Sequence, residues 1–488
     1  MFVFDNSYAR LPTRFYTRLA PIKVSAPQLI RVNALLSREL GVDPDWLAST
    51  EGVAVLSGNL VPQSADPLAM AYAGHQFGHF VPQLGDGRAI LLGELRARDG
   101  LRYDIHLKGS GRTPFSRNGD GRAAIGPVLR EYIVSEAMHA LGIPTTRTLA
   151  AVTTGEHILR EAGSLPGAVL ARVARSHVRV GTFEYFAARG DTEAVRVLAD
   201  YIVERLYPQA ALATNPMLAL LESVVARTAE LIAFWQCVGF IHGVMNTDNT
   251  SIAGETLDYG PCAFMDSYDP STVFSSIDHH GRYAFDQQPR IARWNLTRLA
   301  EALLPLLGEG EASVAAAQKA LDAFPAHFEA AYAKGLRAKF GFAESYELDL
   351  PLIQEFFGLM AESRADFTLT FRRLCDSAEG NDAPLNAQLR DQVALERWLA
   401  RWRERLSREG DTSPASRAAS MRAVNPVYIP RNHRIEAAIV AAQDDGDFTH
   451  FEELLEVTAT PFEYRPKFAR YAEPPEPDEI VRQTFCGT

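Results

Sequence analysis

The period of the hydrophobic pattern changes several times along the chain, and each change marks an element. Residues 1–60 mix short helical segments with turns, and Leu29 to Leu40 reads as a short helix stopped by Gly41. The apolar run Ala89-Ile90-Leu91-Leu92 follows the turn Gly85-Asp86-Gly87-Arg88, which predicts a hairpin of strand, tight turn and strand. Tyr103-Asp104-Ile105-His106-Leu107-Lys108 alternates with period two, so it predicts a strand with Lys108 at its end. After Pro127 the apolar residues Val128, Leu129, Tyr132, Ile133, Met138 and Leu141 recur at helical spacing, and Gly142 with Pro144 closes that helix. Strands are predicted at 146–160 and 167–175, then a long core helix over 217–240 ended by Gly239. Further helices follow at 289–307, 312–331, 351–361, 364–375, 390–407 and within 434–456. The sum is an α+β chain, with a sheet-containing part followed by a larger, mainly helical one. The expected division is an N-terminal extension over 1–70, a first lobe over 71–185, a helical lobe over 186–455 and a Pro-rich tail over 456–488.

Composition narrows the function classes. A 488-residue chain with 47% hydrophobic and 22% charged residues has the balance of a globular protein with a sizeable core. A formal net charge of -11 argues against a general nucleic-acid grip, which needs a basic footprint, while leaving room for a local basic pocket. The chain shows neither a signal or transit pattern nor an uninterrupted run of 18 apolar residues, so a cytoplasmic protein without membrane contact is expected. Its four cysteines, Cys237, Cys262, Cys375 and Cys486, form no CxxC pair and support no zinc site.

The candidate chemistry centres on His242 to Gly260, HGVMNTDNTSIAGETLDYG. Asp248 and Asn249 sit side by side in a polar turn, and Asp258 follows nine residues after Asn249. Such carboxylate and amide oxygens suit a hard divalent cation. Leu257-Asp258-Tyr259-Gly260 stands where kinases carry their metal-binding Asp-Phe-Gly, and Asn249 where they carry the second metal-binding residue. Counting back five from Asn249, however, gives Val244 where a kinase has its catalytic Asp, which leaves Asp248 as the nearest replacement.

Upstream groups fit the same theme. Lys108, at a strand end, and Glu131, on the next helix, match the pair that orients nucleotide phosphates in kinases. The connection GSGRTPFSRNGDGRA after Lys108 has little to bury and reads as a surface loop or an anion-binding loop. Arg172, Arg175 and Arg179 crowd one stretch, and Arg172 with Arg179 suits a phosphate clamp, although an exposed basic strand edge has the same composition. In HQFGH, His75 and His79 have a zinc-like spacing, but Gly74 and Gly78 weaken a helix there, so packing beside Phe77 and Phe80 is expected instead. The segment NPVYIPRNH, residues 425–433, combines rigid prolines with polar groups and fits either a cleft wall or a structural crossing. From these residues alone the protein is a nucleotide-binding, phosphotransferase-like enzyme. Terminal-phosphate transfer and a non-catalytic scaffold both stay open.

YAGHQFGHFVPQLGDGRA, LKGSGRTPFSRNGDGRA, HGVMNTDN, LDYGPCAFMD and NPVYIPRNH together resemble the selenoprotein O (SelO) family of protein adenylyltransferases, over almost the whole length. The resemblance implies a bilobal, protein-kinase-like fold that binds ATP in a reversed orientation and moves AMP to Ser, Thr or Tyr hydroxyls of proteins. Whether UMP replaces AMP is left open. It implies nucleotide contacts from Gly85, Gly87, Arg88, Asp120 and Gly121, and a phosphate-holding Lys108 oriented by Glu131. Arg172 and Arg179 would grip the departing end of the triphosphate. Asn249 and Asp258 would hold Mg2+ or Mn2+, and Asp248 would be the base. The partners implied are ATP and protein substrates, and a monomer is expected. The family also carries Cys or selenocysteine near the C-terminus, so the resemblance implies a redox-sensitive Cys262–Cys486 disulfide.

Overall fold

The structure, a computed structural model, describes residues 1–161, 163–410 and 412–484. Its strands are β1 (Tyr16–Arg18), β2 (Gln28–Val32), β3 (Leu68–Met70), β4 (Gly74–Gln76), β5 (His79–Val81), β6 (Ala89–Arg96), β7 (Arg102–Lys108), β8 (Ala123–Ala124), β9 (Arg147–Arg160), β10 (Gly163–Ala174), β11 (Phe240–Ile241) and β12 (Ala263–Phe264). Eight of them form one sheet in the order β1-β3-β6-β7-β10-β9-β2, with β8 pairing β10. Helices dominate after residue 180, so a sheet-rich first part precedes a mostly helical second part, in a bilobal kinase-like arrangement.

Period-two alternation gives the sheet two different faces. Ile105 and Leu107 of β7, with Val169, Ala171 and Val173 of β10, pack on one side against Leu36, Leu47 and Leu56 from the first short helices. Leu170 points to the other side, into the core that holds Leu129 and Ile133 of the helix Ile125–Ala140. Asp104, His106 and Lys108 alternate with the apolar residues of β7, and Arg172 lies opposite His106 in the β7–β10 register. That polar stripe is buried.

Three local expectations change. Leu29–Val32 is strand rather than helix, because it pairs with β9; the helix starts only at Ala34, where the Asn33 side chain accepts from Leu36 N–H at 3.1 Å. Gly85–Arg88 does not close a hairpin, because β5 pairs with β4 while β6 pairs with β3 and β7. The region 312–331 is split between Gly310–Asp322 and Phe324–Phe340, with Pro325 in the first turn of the second helix.

The long helix Pro216–Val238 packs on Gln288–Leu307 and Phe324–Phe340, and Gly239 ends it in the left-handed conformation at φ 71°. A second core holds Phe340, Phe356, Phe371, Trp398 and Trp402, the two indoles stacking at 5.7 Å. No helix of the described residues is long and apolar enough to cross a membrane.

Candidate active site

Five charged residues meet where the polar stripe faces the helical lobe. Lys108 Nζ pairs with Glu131 Oε2 and lies 3.4 Å from Asp258 Oδ1. Arg172 Nη1 donates to the same Oδ1 and to Glu131 Oε1 at 3.3 Å. Arg179 Nη1 donates to Asp258 Oδ2 at 2.6 Å and to the Asp248 carbonyl at 2.6 Å. Its guanidinium also lies 4.6 Å from the centre of the Tyr72 ring. Three cations thus converge on two carboxylates. Burial alone would raise the Asp258 pKa, but Arg172, Arg179 and Lys108 hold it well below the usual carboxylate range.

The segment between β11 and β12 presents the other groups. These two strands pair and bring the ends of the 242–262 loop together. His242 ties the loop internally, through Nε2 to the Leu257 carbonyl at 2.9 Å. Asp258 adopts a φ of 63°, a left-handed conformation that Asp tolerates better than most residues. Asn249 donates from Nδ2 to the Val244 carbonyl at 3.1 Å, which leaves its amide oxygen as an acceptor.

Asp248 is buried on the short turn Thr247–Asn249. Gln76 Nε2, from the β4–β5 hairpin, donates to its Oδ2 at 3.1 Å, while Oδ1 is buried without a hydrogen-bond partner. Burial pushes its pKa up to about 6, against the opposing influence of Gln76 and Arg179. A Cβ on Gly74 would lie 2.5 Å from Oδ1, so only glycine admits the carboxyl in this position.

The HQFGH histidines form no zinc pair. His75 packs on Phe80, with ring centres 5.0 Å apart, and its Nδ1 bonds Glu184. Among the described residues no cluster of three or more His, Cys, Asp or Glu gathers as a metal cage. The oxygens of Asn249 and Asp258 suit Mg2+ even so, because that ion usually takes one or two carboxylates and completes its shell with phosphates and water.

The remaining expected residues sit in the loops above β7. Gly109 N–H donates to the Arg88 carbonyl at 2.7 Å, and Thr113 Oγ1 to the Asp86 carbonyl at 2.6 Å, which joins the Gly85–Arg88 turn to the loop after Lys108. Gly85 has a φ of 82° and a Cβ there would strike the Phe115 ring, while Gly87 packs on the Phe115 carbonyl. Asp120 pairs with Arg160 at 2.8 Å, and the Gly121 carbonyl accepts from Gly111 N–H at 3.0 Å; neither residue contacts the five-residue cluster. Arg175 also lies apart, its backbone N–H donating to Glu255 at 3.1 Å. Cys262 is buried. Cys486, its expected partner, lies outside the described residues. The last described residue, Thr484, donates its N–H to the Phe274 carbonyl at 2.8 Å.

Sequence reasoning missed Gln76, Asp86, Asp104, His106 and His177, all of which touch the site or its neighbours. Polar residues at alternate positions of an otherwise apolar strand were the available signal for Asp104 and His106.

Comparison with known proteins shows which family the chain belongs to. The family model described as "Protein adenylyltransferase SelO" matches residues 2–459. The chain is 62% identical over 489 residues to a protein named "Protein nucleotidyltransferase YdiU" from Bradyrhizobium sp. (strain BTAi1), covering 100% of this chain and 99% of that one. It is 62% identical over 490 residues to the protein of that name from Rhodopseudomonas palustris (strain BisB5), and 61% identical over 497 residues to one from Methylorubrum extorquens, with the same coverage in both cases. The chain belongs to the SelO family of protein adenylyltransferases.

Proposed function

We propose that this chain is a metal-dependent protein adenylyltransferase that moves AMP from ATP to the hydroxyl of a Ser, Thr or Tyr side chain. The observation that carries this reading is the convergence of Lys108, Arg172 and Arg179 on Asp258, with Asp248 beside them and Val244 in the place of a kinase's catalytic Asp. In the reaction the hydroxyl oxygen attacks the α-phosphorus. The bond from the α-phosphorus to the bridging oxygen breaks, and pyrophosphate leaves with the electron pair. Lys108, Arg172 and Arg179 hold the β and γ phosphates and stabilise the charge that builds there. Asp248 takes the hydroxyl proton. Asn249 and Asp258 would hold Mg2+ or Mn2+, which supplies further charge neutralisation when bound. Gly85, Gly87, Arg88, Asp120 and Gly121 are assigned to the nucleoside side. The reading includes a monomer acting in the cytoplasm on protein substrates. The experiment that tests it is incubation with ATP labelled at the α or the γ phosphorus, with Mg2+ or Mn2+. Label is expected on protein from the α position only. Transfer from the γ position would make the enzyme a kinase, and nucleotide binding without turnover would make it a scaffold.

Two variants probe the base. Asp248→Asn is expected to lower kcat by about 100- to 10,000-fold while ATP binding, measured by calorimetry, persists. Burial raises the Asp248 pKa to about 6, and a base works only when deprotonated, so wild-type kcat should rise with pH through that value. Gly74→Ala would force its methyl group against Asp248 Oδ1, and the displaced carboxyl is expected to lower kcat by about 100-fold. Wild-type activity in that variant, with an unchanged unfolding transition, would remove Asp248 from the chemistry.

A further inference from the structure

Arg172 is held from behind by two histidines that the proposed chemistry does not use. Its Nε donates to His177 Nε2 at 3.2 Å, and its Nη2 donates to His106 Nδ1 at 3.0 Å. Both rings are buried, with centres 4.3 Å apart and planes inclined by 34°. On its far side His177 Nδ1 meets Asp104 Oδ2 at 3.0 Å, and His106 Nε2 meets Asp86 Oδ2 at 3.1 Å. The carboxylates are fixed in turn: Arg205 donates to Asp104, and Met70 N–H donates to Asp86 at 3.0 Å.

Donor arithmetic assigns both tautomers. A guanidinium only donates, so the nitrogens facing Arg172 must be lone pairs. A carboxylate only accepts, so the far nitrogens carry the protons. His177 is therefore the Nδ1–H tautomer and His106 the Nε2–H tautomer. Burial lowers both pKa values against the pull of Asp86 and Asp104, that of His177 to about 3; Arg172 acts with burial on both rings, and His106 adds to it at His177. With Glu131 and Asp258 accepting from Nη1, four of the five Arg172 N–H groups are committed.

We infer that His106 and His177 are positioning residues that fix the Arg172 guanidinium toward the leaving pyrophosphate without cancelling its charge. This rests on the reading of Arg172 as a triphosphate-gripping group. The choice of imidazole is what the task requires. Carboxylates in these two places would bring four negative groups around one guanidinium and leave little field for phosphate. Water in these places would satisfy the N–H groups but not fix their direction. Neutral imidazole, oriented by a carboxylate behind it, gives direction with no net charge.

The opposite tautomers make a mirrored prediction. Asn places its amide near the Nδ1 position of a histidine, and Gln near the Nε2 position. His106→Asn therefore keeps the acceptor for Arg172 and loses the donor to Asp86, and His106→Gln does the reverse. At position 177 the roles exchange: Gln keeps the Arg172 acceptor and Asn does not. In AMP incorporation, His106→Asn and His177→Gln are expected to retain kcat/KM within about threefold, while His106→Gln and His177→Asn fall by about tenfold or more. Thermal unfolding selects folded variants, and a merely structural role gives no reason for opposite orders at the two positions. In an Arg172→Ala background the difference between Asn and Gln should vanish. The same order at both positions, or a full difference that persists without Arg172, overturns the inference. If wild type takes label only from the γ phosphorus, it is the adenylyltransferase reading that fails. The order of the four variants in calorimetric Kd for ATP then still decides whether the two histidines position Arg172.

Discussion

Asp258→Ala is expected to abolish AMP transfer, lowering kcat by about 1,000-fold or more, because it removes a proposed metal ligand and the counter-charge of three cations at once. In the wild type both Asp258 oxygens are taken, Oδ1 by Lys108 and Arg172 and Oδ2 by Arg179. The carboxylate therefore keeps the cationic cluster assembled before substrate arrives. Without it, Lys108 and Arg172 keep only Glu131 and Arg179 loses its carboxylate partner in the cluster, and stranding buried charge costs about 3–5 kcal/mol. An anion can replace the missing charge, so inorganic pyrophosphate without metal should raise the unfolding temperature of Asp258→Ala more than that of wild type. The pH dependence has a defined sign. The folded pKa of Asp258 is depressed, so its contribution to stability is present above the unfolded value of about 3.9 and is lost as pH falls through the folded one. Full AMP incorporation by the variant would remove Asp258 from the active site. A smaller pyrophosphate shift than in wild type would show that the cations do not form one anion site.

Much of this site could be located from sequence because strand and helix periodicities place its members independently. The alternation of β7 puts Lys108 at a strand end, the spacing after Pro127 puts Glu131 on a helix, and Leu257-Asp258-Tyr259-Gly260 marks the loop after β11. What joins them is not local. Asp86, His106 and His177 come from three separate segments, and their contacts with one another and with Arg172 follow from sheet register and loop paths that no single segment encodes. The turn Gly85–Arg88 resembled a hairpin because its flanks are apolar, yet strand pairing is a choice of partner and the partners of β6 are β3 and β7. The helical second half was more accessible, since amphipathic period survives in each helix by itself. Its breaks, as at Pro325, were harder to place.

Residues 425–433 left two readings open, a cleft wall or a structural crossing, and the contacts are those of a crossing. Asn425 Nδ2 donates to the Lys339 carbonyl at 3.0 Å, and Tyr428 is fully buried. Arg431, with 0% exposure, holds three parts of the chain together. Its Nη1 reaches Asp366 Oδ2 at 2.8 Å and also pairs with Asp266, and its Nη2 donates to the Ala472 carbonyl at 2.8 Å. Asp366 has a second duty as the cap of the helix Phe367–Ser377, accepting from Leu369 N–H at 2.8 Å. Arg431→Ala should therefore destabilise the fold by about 3–5 kcal/mol, because it leaves the buried Asp366 and the partly buried Asp266 without their cation. The deficit carries a pH signature. Burial already raises the Asp266 pKa against the pull of Arg431, so removing the guanidinium moves it higher. A carboxyl with a raised folded pKa destabilises above its unfolded value and stops doing so once protonated, so the deficit should be largest at neutral pH and shrink towards pH ~5. Denaturant unfolding of wild type and variant at the two pH values measures it. A deficit that is equal at both would mean that the lost packing of the arginine stem, not the uncompensated carboxylates, sets the cost.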